Sequence, residues 1–454
     1  MIGKTNFVTT NNTNNSNLQI SKSSKNYRLK QIFFQNSSQK THQPTIDPLQ
    51  LSLQETEYTK ELIRNCCSLS RKQYGCRILQ KLLDDKPHLA SESFYPIIKN
   101  EFTSLSCDIF GNYFIQKLLE YLNIYDLKDS INKYVSVSYY FICTNQYGSR
   151  VIQKLTTIIQ NNSELIQQVT QLLKPYVSQF IFHQNAGHIV ANHVMCTDEL
   201  KNQFIIDFIN KNIIAISSKQ HSCCTLQKCM EYASSIQRTL LIDTIINHCS
   251  LMFNNNFGNF VIHYIIKLHS YSINHKIVLN ILKDFENLSK MKYSSSIIEK
   301  CLIFSSQETK NLILTKLITE KDLVQELLKN KFGNYVIQKA LEISTEPYSS
   351  QLLLLIAPII PELHFLPFGK KLLTNLINKY PSLKIIYQSN QNQSHVNKGD
   401  VNIQNNDFVS QMYPYNIYQH KESVQDSQND FINFNNSYIN QYGSYYKGSE
   451  LNQI

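Results

Sequence analysis

The sequence predicts an all-α protein, a right-handed curved α-solenoid (superhelix) of eight repeats with degenerate capping repeats. The main observation is a short phrase, most often an aromatic residue and a glycine leading into a helical pattern, whose eight copies begin 35 to 39 residues apart. The second is that strand-like alternation of polar and apolar residues is almost absent. A period of this length is typical of helical repeats whose neighbours bury each other's apolar faces.

Each copy of the phrase defines one repeat. The copies begin at Tyr74, Phe110, Tyr147, Ala186, His221, Phe257, Tyr293 and Phe332, and a degenerate ninth copy begins at Phe368. Helical patterns lie between them, for example over 63–69 and 320–329. Glycine is the second residue in six of the eight copies, which we attribute to a tight turn into the helix. The ninth copy and residues 46–72 are expected to cap the solenoid, because terminal repeats need a polar outer face.

Composition divides the chain into three parts. Residues 1–45 are rich in Asn, Ser and Thr and carry six positive and no negative charges. Residues 391–454 are rich in Asn, Gln, Ser and Tyr. Such segments bury too little apolar surface to offset the entropy of ordering, so we expect both tails to be disordered. The folded domain is therefore predicted to span residues 46–390.

Composition and motifs also exclude several classes of function. The net charge of +10 suits a polyanionic partner. No phosphate-binding loop, nucleophile elbow or zinc-protease motif occurs, so we expect no enzyme and no cofactor. His193 with Cys196, and His221 with Cys223 and Cys224, bring potential ligands together, but they lack the paired spacing of zinc sites, so no metal is predicted.

The location is predicted from what the sequence lacks. It has no apolar leader at its N-terminus and no apolar run long enough to cross a membrane. Its eleven cysteines are then best interpreted as reduced thiols. We expect a cytoplasmic protein without membrane contact.

The phrase has a definite helical geometry. At about 100° per residue, Asn334 and Gln338 of the eighth copy lie about 40° apart, and Tyr335 lies about 100° from Asn334. The aliphatic residues between them fall on the opposite side of the helix. Stacked eight times, the polar side becomes a surface that repeats a hydrogen-bonding pair and a flat side chain. A single-stranded nucleic acid has a matching repeat of base edges and base faces.

These phrases resemble the Pumilio (PUF, Pumilio-FBF) family over about residues 46–390. Proteins of that family recognise single-stranded RNA with one base per repeat. The resemblance implies that the first and fifth helix residues of each phrase, here called the edge residues, contact a base edge. It implies that the second residue, here called the stacking residue, lies between bases. It also implies that the RNA runs antiparallel, so that repeat 8 meets the 5′ base.

The resemblance assigns bases to six repeats. In repeats 8 and 2 the uracil contacts are Asn334, Tyr335 and Gln338, and Asn112, Tyr113 and Gln116. In repeat 7 they are Ser295, Ser296 and Glu299 for guanine, and in repeat 6 Asn259, Phe260 and His263 for uracil. In repeats 3 and 1 the adenine contacts are Ser149, Arg150 and Gln153, and Cys76, Arg77 and Gln80. The expected site is 5′-UGU-N-N-AUA.

Several positions depart from this pattern. His263 stands where a uracil code expects glutamine, and Ser296 is too small to stack well. Repeat 4 offers His188 and Asn192, and repeat 5 offers Cys223 and Gln227 without a stacking side chain. The two central bases are therefore left open, and one of them could be flipped away from the protein.

Simpler interpretations compete with base recognition. Asn112, Asn259, Asn334 and Ser149 could be helix N-caps. The aromatic stacking residues could pack between repeats, and the arginines could be solvated surface charges. The lysines that follow the second edge residue could form a soluble face or meet phosphates; they are Lys81, Lys117, Lys154, Lys228 and Lys339.

The resemblance implies a monomer that binds messenger RNA in 3′ untranslated regions and represses translation or promotes decay through deadenylase or translational-repression proteins. Two alternatives remain open. One is a nucleolar Pumilio-like factor that binds ribosomal RNA precursors. The other is a helical scaffold that binds only proteins. Target messages, partners and the direction of regulation are not predicted by the sequence.

Overall fold

The structure, a computed structural model, describes residues 48–396, with side chains described over 56–388. The predicted tail 1–45 and residues 397–454 lie outside the described residues. The chain divides into two units, Met1–Arg64 and Asn65–Ile454. In the first unit the described residues form the helix Pro48–Arg64. Every regular element between residues 48 and 396 is helical.

In the second unit each phrase forms one helix, here called a phrase helix. In chain order the phrase helices are Gln73–Asp85, Gly111–Tyr121, Gly148–Ile159, Ala186–Cys196, Gln220–Tyr232, Gly258–Ile266, Lys292–Phe304, Gly333–Ile343 and Gly369–Lys379. The first eight pack one against the next along the chain. Their aliphatic residues, such as Val151, Ile152 and Leu155 of repeat 3, are fully buried. Burial of each such side chain contributes roughly 1.5–3 kcal/mol to folding.

The remaining helices connect the phrase helices. The longer ones are Ile124–Ser130, Ser136–Thr144, Ser163–Leu173, Glu199–Lys211, Ser235–Asn247, Tyr271–Leu282, Gln307–Thr319, Lys321–Lys329, Tyr348–Ile356 and Pro381–Val396. The short α-helices are Cys66–Ser70, Tyr95–Ile98, Phe102–Ser106, Val177–Phe180, Ile213–Ser217, Phe285–Ser289 and Ile360–Leu363. The short 3₁₀ and π segments are Ala90–Phe94, Lys99–Glu101, Ile131–Val135, Lys174–Tyr176, Cys249–Leu251 and Ala357–Ile359. The last helix, Pro381–Val396, passes residue 390, the predicted boundary of the folded domain.

Five of the ten longer connecting helices begin at a side-chain cap. The cap side chain accepts a hydrogen bond from a first-turn amide at Asn123, Asn162, Asp198, Ser234 and Ser306. Each such cap stabilises a helix by about 1 kcal/mol. In repeats 2, 3, 4, 5 and 7 these caps fix where the chain turns from the phrase helix into the next helix.

The repeated glycine has a different reason from the predicted turn. No glycine among the described residues has a positive φ. A Cβ added at Gly148 would lie 2.5 Å from the main-chain oxygen of Ile142, which is too close for any other residue. In repeat 7, which has serine here, Ser294 Oγ donates a hydrogen bond to the equivalent oxygen of Leu288 at 2.5 Å. The phrase requires a small residue because the start of each phrase helix lies against the preceding helix.

Candidate nucleic-acid interface

The edge residues of repeats 2 and 8 are hydrogen-bonded to each other. Gln116 Nε2 donates to Asn112 Oδ1 at 3.0 Å, and Gln338 Nε2 donates to Asn334 Oδ1 at 2.9 Å. Each glutamine therefore keeps its carbonyl oxygen and one N–H for another partner. That donor and acceptor lie side by side, as do the oxygen and N3–H of uracil. The two repeats present the same chemistry because their phrases share the same residues.

These asparagines are not helix N-caps. An N-cap side chain accepts from first-turn amides. Asn112 Nδ2 instead donates to the main-chain oxygens of Asp108 and Ile109, at 2.8 and 3.0 Å. Asn334 Nδ2 donates likewise to the main-chain oxygen of Asn330, at 2.9 Å. Their oxygens face the second edge residue, so the capping interpretation is wrong for both.

The capping side chains lie earlier in the chain, at positions that were not predicted from the sequence. The side chain of an Asp or Asn three residues before the phrase glycine accepts from the amides of the aromatic residue and of the glycine. It does so at 2.7 to 3.0 Å for Asp108, Asn145, Asn255 and Asn330. The signal was present as Asp/Asn-x-aromatic-Gly in repeats 2, 3, 6 and 8. Because these side chains accept from the first-turn amides, the edge asparagine is not needed as the cap.

Repeats 1 and 3 hold their glutamines differently. Gln80 Nε2 donates to Cys76 Sγ at 2.9 Å, while Gln153 Nε2 donates to the main-chain oxygen of Ser149 at 3.1 Å. A sulfur atom or a main-chain oxygen thus replaces the asparagine oxygen of repeats 2 and 8. Each glutamine still keeps its carbonyl oxygen and one N–H for another partner, so these repeats differ from repeats 2 and 8 in the group that holds the amide.

The stacking residues differ in exposure. Tyr113 is 39% exposed and Tyr335 is 54% exposed, so neither side chain is buried by packing between repeats. Arg77 is also exposed, while Arg150 and Phe260 are partly buried. A flat side chain that remains open beside the edge residues is what base stacking requires.

Repeat 7 contains a carboxyl group in an unusual state. Ser295 is buried and Ser296 and Glu299 are partly buried. Burial raises the pKa of Glu299 to about 7, against the lowering effect of the Lys339 and Lys300 charges. Near neutral pH the carboxyl therefore exists in both forms. The ionised form only accepts hydrogen bonds, which suits the two adjacent donors of guanine.

Repeat 6 combines an asparagine with a neutral histidine. Asn259 Nδ2 donates to the main-chain oxygen of Asn255 at 2.7 Å, as in repeats 2 and 8. Burial, with the nearby charges of Lys300 and Lys267, lowers the pKa of His263 to about 3. The imidazole is thus uncharged near neutral pH, with one donor and one acceptor nitrogen. Histidine replaces glutamine at the second edge position, so repeat 6 lacks the glutamine–asparagine hydrogen bond of repeats 2 and 8.

Repeats 4 and 5 do not assemble a comparable pair. Asn192 Nδ2 donates to Thr157 Oγ1 of repeat 3 at 3.4 Å. Burial lowers the pKa of the neighbouring edge residue, His188, to about 4. In repeat 5 the thiol of Cys223 is fully buried and donates to the main-chain oxygen of Gln220 at 3.1 Å, with Gln227 partly buried. The structure brings these predicted edge residues onto the phrase helices without the asparagine–glutamine hydrogen bond that repeats 2 and 8 form.

Two of the lysines that follow the second edge residue, Lys117 and Lys154, form ion pairs between repeats. Lys117 lies 2.6 Å from Asp84 and 2.8 Å from Glu120, and Lys154 lies 2.6 Å from Glu120. A chain of alternating charges therefore links repeats 1, 2 and 3. The sequence did not reveal it, because its members lie about one repeat apart. Phosphate contacts from Lys117 and Lys154 would require these pairs to open.

The residues first considered as metal ligands have structural contacts. His193 Nε2 lies 3.2 Å from Thr170 Oγ1, and Cys196 Sγ lies 3.8 Å from Thr157 Oγ1. Within residues 56–388 no three His, Cys, Asp or Glu side chains are grouped as a metal site would need. Among the described helices, none has the length and apolar character of a membrane span.

Comparison with known proteins identifies the family. The model of the Pumilio-family RNA binding repeat matches residues 65–85, 101–127, 138–155, 212–246, 287–318 and 324–357. These ranges contain the phrases of repeats 1, 2, 3, 5, 7 and 8. They omit those of repeats 4 and 6, whose second edge residue is neither glutamine nor glutamate. The structure of a Puf4 RNA binding domain bound to a 3′ UTR recognition sequence of HO endonuclease RNA is 32% identical. The match covers 68% of this chain and 97% of that one, with a TM-score of 0.62.

Further relatives agree. PUF-8 in complex with PBE-RNA is 26% identical, with 70% of this chain and 94% of that one covered and a TM-score of 0.62. A Pumilio domain-containing protein of Schizosaccharomyces pombe is 30% identical over 72% of this chain and 48% of its own length. Pumilio homolog 12 of Arabidopsis thaliana is 29% identical over 72% of this chain and 56% of its own length. The chain thus spans about half the length of these two relatives.

This chain belongs to the Pumilio (PUF) family. Its fold is the curved helical solenoid of that family, as the repeat spacing predicted. The family is an RNA-binding and not an enzymatic one.

Proposed function

We propose that this protein binds single-stranded RNA along its phrase helices, with one base per repeat at the two ends of the solenoid. The observation that carries the proposal is the pair of interlocked amides in repeats 2 and 8, each beside an exposed tyrosine. A donor and an acceptor held in place beside a flat ring can contact both the edge and the face of one base. The related Puf4 and PUF-8 domains were solved bound to RNA, which supports the same partner here.

We further propose that the preferred site is 5′-UGU-N-N-AUA in messenger RNA 3′ untranslated regions. Glu299 favours guanine at the second base because its carboxylate accepts from two donors. The edge pairs of repeats 1, 2, 3, 6 and 8 supply the flanking preferences. Regulation would then consist of translational repression or message decay in the cytoplasm, by a monomer on RNA that recruits deadenylase or other repression proteins.

The test replaces the edge residues of repeat 7 with those of repeat 8. Ser295→Asn with Glu299→Gln gives repeat 7 the edge pair of repeat 8. Opposite uracil the native carboxylate faces a carbonyl oxygen, a mismatch that costs roughly 1–3 kcal/mol. The double variant should therefore prefer UUU-N-N-AUA to UGU-N-N-AUA in competition binding, whereas the native protein prefers the second. Adding Ser296→Tyr should strengthen binding of the variant.

The matched control is the reverse exchange. Asn334→Ser with Gln338→Glu should shift preference at the first base from uracil to guanine and leave the second base unchanged. A double variant of repeat 7 that still prefers guanine would show that these residues do not recognise the base. A native protein that binds none of these RNAs would overturn the proposed function and favour the protein-scaffold alternative.

A further inference from the structure

The ninth copy of the phrase has the geometry of the copies before it. Its helix begins at Gly369 directly after Phe368, as the helix of repeat 8 begins at its phrase glycine. A Cβ added at Gly369 would lie 1.6 Å from the main-chain oxygen of Leu363, six residues earlier, which is the same close approach as in repeat 3. The residues after Gly369 therefore occupy the edge and stacking positions of a phrase helix.

Ion pairs join this ninth helix to repeat 8. Lys379 of the ninth helix lies 3.8 Å from Glu342 of the repeat 8 phrase helix. The helices that precede these two phrase helices are joined in the same way, by Glu362 and Lys329 at 2.8 Å. The phrase helices thus extend one position beyond the repeat that the proposed function assigns to the first base.

The edge and stacking positions of the ninth helix hold lysines instead of groups that recognise a base edge. Lys370 is at the first edge position and Lys371 at the stacking position, and both are exposed. Thr374, at the second edge position, donates its hydroxyl hydrogen to the main-chain oxygen of Lys370 at 2.8 Å. An ammonium group is a compact positive charge with donors only, which suits a phosphate better than a base edge.

These two lysines differ from the lysines that form ion pairs elsewhere on the phrase helices. Lys117, Lys154 and Lys379 each lie 2.6 to 3.8 Å from a carboxylate. Within residues 56–388, no carboxylate lies at ion-pair distance from Lys370 or Lys371. A phosphate can therefore approach both ammonium groups without first breaking an ion pair.

An exposed aromatic ring lies in the turn that leads into the ninth helix. Phe365 stands four residues before the phrase glycine and is 84% exposed. At the equivalent position of repeat 6, Asn254 Nδ2 donates to Met291 Sδ at the start of the repeat 7 phrase helix, at 2.7 Å. In repeat 2, Cys107 at this position lies against Gly148 of repeat 3. The position therefore faces the next repeat. Because no further phrase helix follows the ninth within the described residues, the ring of Phe365 is left uncovered.

We propose that this end of the solenoid binds the nucleotide immediately 5′ of the first uracil. Lys370 and Lys371 bind the phosphate that joins this nucleotide to the uracil, and Phe365 stacks on its base. Sites for single-stranded nucleic acid combine cationic groups and aromatic rings in this way. Neither edge position holds an amide or a carboxyl group, so the site accepts any base. The inference rests on the proposed function, in which the RNA runs antiparallel to the repeats and its 5′ side leaves repeat 8 toward the ninth helix.

The experiment measures the affinity of the full chain for three kinds of RNA. The first is UGU-N-N-AUA with a 5′ hydroxyl, the second carries one abasic nucleotide at the 5′ end, and the third carries A, C, G or U there. The abasic extension should strengthen binding about fourfold at 0.15 M salt and steepen the salt dependence by about 0.7 in logarithmic slope, as expected for one added phosphate contact. A complete nucleotide should add about fivefold more, within about twofold for all four bases.

The variants separate the phosphate contact from the base contact. Lys370→Ala with Lys371→Ala should remove the gain from the abasic extension and leave the affinity for the unextended RNA unchanged. Phe365→Ala should keep that gain and remove the further gain from the base. The matched controls are Lys384→Ala, an exposed lysine of the next helix, and Leu200→Ala, an exposed apolar residue of repeat 4. Neither control should change either gain.

Four results would overturn the assigned site while the protein still binds the unextended RNA. They are no gain from any extension, a gain that survives in the lysine double variant, a gain confined to one base, and an equal loss of affinity for extended and unextended RNA in that variant. Absence of binding to every RNA, extended or not, would instead overturn the proposed function itself.

Discussion

Repeats 2 and 8 and repeats 4 and 5 share one helical framework but present different chemistry. In the first two, an asparagine and a glutamine are hydrogen-bonded and a tyrosine is exposed beside them. In repeat 4 the stacking position holds Ile189, which is 1% exposed, and in repeat 5 it holds Cys224. The edge and stacking side chains can thus differ between repeats that keep the same helical packing. The comparison predicts strong preferences at both ends of the RNA and weak ones at its centre.

The largest expected effect comes from removing an exposed ring. Tyr113→Ala and Tyr335→Ala should each weaken RNA binding about 5- to 150-fold, because stacking contributes roughly 1–3 kcal/mol per base. Fluorescence anisotropy with UGU-N-N-AUA measures this, and circular dichroism checks that the helices are intact. Unchanged affinity in both variants would mean that the rings do not meet bases.

An effect of intermediate size is expected from pH, because the ionisation of Glu299 should change the preference for guanine at the second base. Its raised pKa of about 7 means that the carboxylate, which accepts from guanine, predominates above pH 7 and is lost below it. From pH 8 to pH 6 the ionised fraction falls about tenfold, so affinity for UGU-N-N-AUA relative to UUU-N-N-AUA should fall by about that factor. The protonated carboxyl has a donor and an acceptor, as an amide does, and tolerates uracil.

The control for this titration is Glu299→Gln, whose relative affinities should not change between pH 6 and pH 8. His263 and His188 do not titrate in this window, because burial lowers their pKa values to about 3 and about 4. The same pH dependence in the glutamine variant would assign it to another group.

The smallest effect on RNA affinity should come from a substitution in repeat 4, at the centre of the row of repeats. His188→Ala changes an edge residue of repeat 4, where Asn192 donates to Thr157 of repeat 3 and the asparagine–glutamine pair of repeats 2 and 8 is not formed, so affinity should change less than about twofold for any base opposite it. Asn334→Ala, the matched change in repeat 8, should weaken binding more and relax the first base. If His188→Ala weakened RNA binding as much as Asn334→Ala, the central and terminal repeats would not differ in their contribution to base recognition.

The sequence predicted much of this arrangement. The common helical face of Asn334 and Gln338 followed from residue spacing alone, and their 2.9 Å hydrogen bond confirms it. The close approach at Gly148 was not predictable, because it depends on how one helix lies against another. The pKa of Glu299 was missed for the same reason, since burial belongs to the assembled repeats.

The difference between ends and centre is tested most directly by selecting RNAs that bind the full chain from a random pool and sequencing them. The enriched RNAs should carry UGU, two unconstrained bases and then AUA, with an extra central base tolerated if one base turns away from the protein. Enrichment without a fixed base at either end, or with the strongest preference at the two central positions, would contradict the assignment of base recognition to the interlocked edge pairs.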